Sequence, residues 1–152
     1  MSDDLALLED WATGLLLKLA PASRRAIALT ISRALRQSQQ QRIAAQMGPD
    51  GAAFAPRKPR KNLRGKKGRI KRDAMFTKLR TAKYLKAKAT ADGASVEFTG
   101  RAGQIARVHQ DGGEDRVSPK GPLVRYPRRR LLGFAGIDRT MIRDILIDHM
   151  AR

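Results

Sequence analysis

The chain has 152 residues, 41% of them hydrophobic but only 5% aromatic, with 32 Lys and Arg against 14 Asp and Glu. That length fits one domain spanning 1–152, with a core of Leu, Ile, Val and Ala. A formal charge of +18 calls for a polyanion or an acidic protein neighbour, and composition leaves both open. With no cysteine, disulfides and thiolate metal sites are excluded.

Leu5, Leu8, Ala12, Leu15, Leu16 and Leu19 recur at helical spacing, and Ser2 or Asp3 can cap the start. This stretch is too short and too charged to span a bilayer. Its acidic start is unlike a signal peptide, so the expectation is a soluble cytoplasmic product. Pro21 stops the helix, and Ser23 offers a cap for a second one. Ile27, Ile31, Ala34, Leu35 and Ser38 mark its stripe, which runs to about Gln46. About 25 residues would make a helix about 37 Å long. The later part, Gln37–Gln46, is mostly polar and is expected to project from the core or to lie against another subunit. The two helices otherwise read as an ordinary antiparallel pair.

Met47-Gly48-Pro49-Asp50-Gly51 turns the chain. Between Arg57 and Arg72, ten of sixteen residues are basic and none is acidic: Arg57, Lys58, Arg60, Lys61, Arg64, Lys66, Lys67, Arg69, Lys71 and Arg72. Pro59, Gly65 and Gly68 interrupt any periodicity, so 57–72 is expected to be a basic loop or arm, mobile when unbound. Such a run neutralises phosphates without reading sequence, or orders against a neighbouring protein. It lacks interleaved aromatics for base stacking.

Met75, Phe76 and Leu79 predict a short helix ending near Thr81. Tyr84–Thr90 and Ser95–Thr99 alternate around the turn Ala91-Asp92-Gly93 and predict a hairpin. Leu85, Ala87 and Ala89 fall on one side and Tyr84, Lys86 and Lys88 on the other, while Val96 and Phe98 share a face of the second strand. Ile105 and Val108 are expected to bury one face of a short helix reaching Gly112-Gly113. Asp115–Ser118 and Leu123–Tyr126 read as short strands, the second confined to an edge by Pro127. A last helix is predicted from Asp138 to about His149, burying Met141, Ile142, Ile145 and Leu146. The predicted class is α+β: an N-terminal helix pair, a small antiparallel sheet with a short inserted helix, a C-terminal helix and a long basic loop.

The search for chemistry returns little. His109, Asp111, Glu114 and Asp115 lie within seven residues, but a flexible Gly-Gly and the lack of a second nearby histidine favour a polar turn over a metal site. Nothing marks Ser118 near His109 as a nucleophile. Gly65-Lys66-Lys67-Gly68 lacks the spacing of a phosphate-binding loop. The acids are too dispersed for a metal-dependent nuclease. No catalytic, cofactor-binding or metal-binding residue is assigned. Arg125, Arg128, Arg129 and Arg130 are a stronger signal, because arginine forks suit phosphates and carboxylates alike. On an extended chain Arg128 and Arg130 would point one way and Arg129 the other. The same charges would also protect an exposed edge strand.

Several runs together carry a resemblance. Arg107-Val108-His109-Gln110, Gly112, Asp115-Arg116-Val117, Tyr126-Pro127, Arg130-Leu131-Leu132-Gly133-Phe134 and Met141-Ile142-Arg143-Asp144 resemble the phage virion morphogenesis family, the tail completion family of contractile-tailed temperate phages. Gln41-Arg42-Ile43, Pro49-Asp50-Gly51 and Phe54-Ala55-Pro56-Arg57 extend the likeness over nearly the whole chain. The resemblance implies a minor structural protein acting in tail completion and head-tail joining, without enzymatic residues. It implies localisation at the tail end or neck of the virion, and in the host bacterial cytoplasm during assembly. A subunit at a tail end should form a ring, hexameric or dodecameric, through head-to-tail contacts. Its partners would then be further copies, tail tube, terminator or connector proteins, and packaged double-stranded DNA touched through phosphates alone; no membrane is implied. The hairpin and 104–134, including Arg107, His109, Gln110, Asp115 and Tyr126, would supply one face. The polar helix half or the basic arm would supply the other. The alternatives are a DNA-binding protein without sequence specificity and, behind it, a phage nuclease.

Overall fold

A computed structural model describes residues 2–18, 20–57 and 74–151. The basic run from Lys58 to Arg72 lies outside the described residues. Helix α1 spans Ser2–Lys18 and α2 spans Pro21–Ala44. Ser23 does not cap α2. Ala20 is the residue before its first turn and Pro21 opens it. A proline there costs no hydrogen bond and its fixed φ suits a helix start.

The buried stripe of α2 runs from Ile27 to Ile43, through Ala28, Ser32, Leu35, Gln39 and Arg42. Its steps of four and three residues are those of a core-facing helix. The polar end expected to project or to lie against another subunit thus buries one face within the chain, at Gln39, Arg42 and Ile43, while Gln37 and Gln41 stay exposed. Its side chains find partners inside the molecule, which removes the usual penalty for burying them.

Gln46 and Phe76 hold positive φ, at 59° and 64°. The Gln46 amide donates to the Met75 carbonyl at 2.9 Å and accepts from the Met75 N–H at 2.6 Å. Residues 77–80 form turns, and the short helix expected before Thr81 is not formed. Phe76, held in the left-handed region, interrupts it.

Strands β1 (Leu85–Ala89) and β2 (Ala94–Phe98) pair antiparallel, with Leu85 opposite Phe98 and Ala87 opposite Val96. Leu85 is fully buried, while Lys86 and Lys88 are exposed. Within the strands the faces are those the alternation predicts, but Tyr84, expected on the lysine side, packs against the core. Lys88 pairs with Glu97 on the open face. Arg36 of α2 donates to the Leu85 carbonyl at 2.9 Å, tying hairpin to helix.

Helix α3 spans Arg101–Asp111, strand β3 Glu114–Arg116, strand β4 Leu123–Arg125 and helix α4 Gly136–Met150. The class is α+β. The four strands make two separate two-stranded sheets, β1-β2 and β3-β4, with α3 between them in the chain. α3 buries Ala102 and Ala106, whereas Ile105, expected inside, is exposed. Small residues let α3 approach a core made of Ile43, Phe54, Met75, Leu79 and Leu131. On α4, Leu146 is buried and Met141, Ile142 and Ile145 are half-buried. No described helix is long and apolar enough to cross a membrane.

Candidate assembly interface

The residues after β4, from Tyr126 to Ala135, form no helix or strand, bend at Leu132 and cross the ends of α2 and α3. Leu131, wholly buried, is the apolar peg of this strap. Polar side chains secure it from both sides. From α3, the Gln110 amide accepts from the Leu131 and Leu132 N–H groups at 2.8 and 3.0 Å, and donates to the Leu132 carbonyl at 2.8 Å. From α2, Gln39 donates to the Gly133 carbonyl at 2.9 Å and accepts from its N–H at 3.3 Å. One glutamine on each helix thus pairs with the strap as a neighbouring strand would.

Asp138 closes the far end. Its carboxylate accepts from the Ala135 N–H at 2.8 Å, reaching back to the residue before the first turn of α4. The same carboxylate accepts from Ser38 and, at 3.2 Å, from the Arg42 guanidinium. Arg42 also donates to Gln39 and to the Gly133 carbonyl at 3.1 Å. Asp138 is 1% exposed. Burial pushes the Arg42 guanidinium pKa down and Asp138 opposes that shift. Arginine remains charged in any such setting, so the pair is an ion pair with most of its water removed.

Arg129 works on the opposite side. It is 4% exposed and donates to the Ala55 and Pro56 carbonyls at 2.7 and 2.9 Å. Its third contact is His109 Nδ1 at 3.2 Å. Arginine only donates, so Nδ1 accepts and the imidazole proton sits on Nε2. The His109 ring lies between Phe76 and Tyr126, with both centroids 4.8 Å away. Burial first, and the Arg129 charge second, push its pKa down to about 4, leaving it neutral at pH 7.

Gly112 ends α3 with φ 73°, and a Cβ there would stand 3.1 Å from the Arg128 backbone nitrogen. Only glycine lets the helix end and the strap pass so closely.

The predicted contact residues now separate. The alternation at Arg128, Arg129 and Arg130 holds, with the outer two exposed and the middle one buried. Arg129, proposed as a DNA or subunit contact, is buried, with carbonyls and His109 occupying its fork. His109 and Gln110, proposed as subunit contacts, are half-buried and engage the strap through their polar groups. Tyr126 is half-buried against His109. Asp115 accepts from the Arg116 N–H at 2.7 Å. Arg107 and Arg125 lie exposed. Arg57 donates to the Ala74 carbonyl at 3.4 Å. The remaining basic candidates, Lys58, Arg60, Lys61, Arg64, Lys66, Lys67, Arg69, Lys71 and Arg72, lie outside the described residues.

The sequence reading missed two groups. Ser38, Gln39, Arg42 and Asp138 form the inner anchor; continuing the α2 stripe at steps of three and four through its polar residues would have found Gln39 and Arg42. Phe134 and Ile137, 58% and 75% exposed, project at the end of the strap. No chemistry-bearing cluster accompanies them: among the described residues no group of three or more His, Asp or Glu is placed to hold a metal ion. The arrangement offers a stiffly backed surface carrying exposed arginines and apolar side chains.

The phage virion morphogenesis family matches residues 3–151. Tail completion protein S of Escherichia phage P2 is 43% identical over 145 residues, covering 95% of each chain. No solved structure matches.

Proposed function

This chain belongs to the phage virion morphogenesis family, and we propose that it is a structural protein completing the phage tail for head joining. The observation that carries the proposal is the 43% identity to a tail completion protein across 95% of both chains. The strap supports it physically. Buried polar side chains hold 126–138 in one shape before any partner arrives, so little ordering entropy is spent on docking.

In this reading the protein is a ring subunit at the tail end or neck of the virion, assembled in the host bacterium. Its partners are other copies and neighbouring tail or connector proteins. The exposed Arg128 and Arg130, with the basic run before Asp73, face adjoining subunits or DNA in the channel. Contact with DNA would run through phosphates and weaken steeply with salt.

Deleting the gene from the phage tests the role. The expected result is filled heads and sheathed tails accumulating unjoined, with joining restored when the protein is supplied. A block in head filling or DNA processing would overturn it. A filter-binding salt titration tests the alternative of dedicated DNA binding without sequence specificity. Retention near physiological salt favours that alternative; loss there favours assembly.

A further inference from the structure

Helix α1 is apolar on more than one face. Ala12 and Thr13 line a crevice of about 240 Å³ against Ile27 and Ile31 of α2 and Leu146 of α4, so one face leans on the body. Leu7 and Trp11, one turn apart, lie on another and are 67% and 48% exposed. Large apolar side chains exposed side by side on a helix suit a surface that another molecule covers, and Trp11 is the only tryptophan in the chain. The helix is also electrostatically unlike the rest. Four of the 14 acids fall in the first ten residues, which hold no Lys or Arg. Asp10, exposed, stands three residues after Leu7 on the same side.

The strap carries the complementary surface. Phe134 and Ile137 are exposed, and the Arg130 guanidinium lies against Gly133, 3.2 Å from where a Cβ would stand. Arg139, exposed, follows in the first turn of α4. One patch is aromatic, aliphatic and acidic; the other is aromatic, aliphatic and basic.

We infer that Leu7 and Trp11 of one copy pack on Phe134 and Ile137 of the next, with Asp10 facing Arg130 and Arg139. The occupant is a second copy because this chain itself supplies both halves with opposite charge. The two patches are different surfaces, so the contact is head-to-tail and repeats until a rotation closes it. The inference rests on the ring-subunit reading and names the contact that would build the ring.

The chain lacks cysteine, which makes directed crosslinking clean. Purified full-length protein carrying Leu7→Cys is mixed with protein carrying Ile137→Cys and oxidised; the double variant is oxidised in parallel. The expected results are a crosslinked dimer from the mixture, a ladder from the double variant, and neither from a single variant alone. Trp11 emission of the unaltered protein should shift to the blue as concentration rises. Trp11→Ala and Ile137→Asp should each weaken self-association tenfold or more while keeping the circular dichroism of the parent. If light scattering shows oligomers but the cysteines do not join, or Leu7→Cys joins only to itself, this contact is wrong and the ring reading survives. If the protein stays monomeric at every concentration, with Trp11 exposed, both fall.

Discussion

The polar end of α2 and the apolar helix α1 have exchanged the places that hydropathy would give them. Gln39 and Arg42 are buried, yet Leu7 and Trp11 face solvent. The two cases have different causes. At the end of α2 the buried polar side chains have partners on the strap and on α4: Ser38 and Arg42 meet Asp138, and Gln39 meets Gly133, with the Arg42 Nε alone left over. Partnered polar groups can be interior. The exposed face of α1 meets no partner among the described residues, and its composition suits a surface that another molecule covers. Hydropathy reports the environment a segment finally occupies, and for an assembly subunit that environment need not be its own fold.

The largest effect should come from breaking the anchor of the buried polar end. Asp138→Ala leaves the Arg42 guanidinium charged and unpaired in the interior. The expected loss is about 3–5 kcal/mol of folding stability, read by urea or guanidinium denaturation. Replacing both partners, as Arg42→Met with Asp138→Leu, should cost less than the single Asp138→Ala change, because no orphaned charge remains. A double variant as unstable as the single would show that burial of this end depends on hydrogen-bond geometry rather than on charge compensation.

Next is the backbone that lets the strap lie where these polar groups can reach it. Gly112→Ala places a Cβ 3.1 Å from the Arg128 nitrogen at a positive φ. A backbone atom cannot rotate away, so about 1–3 kcal/mol of destabilisation is expected. The denaturation midpoint should fall with little change in slope, since the same surface is exposed on unfolding.

How much of this was legible in the sequence follows from which interactions are local. The β1-β2 hairpin was readable because Asp92-Gly93 and the alternating residues specify it within about fifteen positions. The α4 segment was readable from its periodicity. The strap was readable as an arginine run followed by leucines returning to the core, as Leu131 does, but its course was not. Its fixing residues lie far away, with Gln39 and Gly133 separated by 94 positions and Arg129 and Ala55 by 74. No local pattern announces such pairings. The helix expected at 75–81 failed because Phe76 takes a left-handed conformation that propensity does not foresee. For Ile105, helical spacing was right about the helix and wrong about its face, since the small side chains of Ala102 and Ala106 point inward.

A smaller effect separates the two regions by pH. His109 is held neutral beside Arg129, with its pKa pushed down to about 4. In the unfolded chain it would titrate near ~6.5. Between those values the unfolded state binds more protons, so stability is complete above the upper value and declines as pH falls towards the lower one. Thermal midpoints measured at pH 7.5 and pH 5 should therefore differ, and the difference should shrink in His109→Gln. An unchanged difference would assign the acid sensitivity to other groups.

The smallest change in stability is expected on α1. Replacing Trp11 by Ala removes a side chain that already stands half in water, away from the anchors of the strap. Surface changes of this kind usually stay within about 0.5 kcal/mol. With the tryptophan gone, the monomer should unfold at nearly the same denaturant concentration as the parent, followed by circular dichroism. A loss comparable to that of Gly112→Ala would mean that Trp11 supports its own fold. The contrast between a polar end buried for stability and an apolar face exposed for assembly would then collapse on the α1 side.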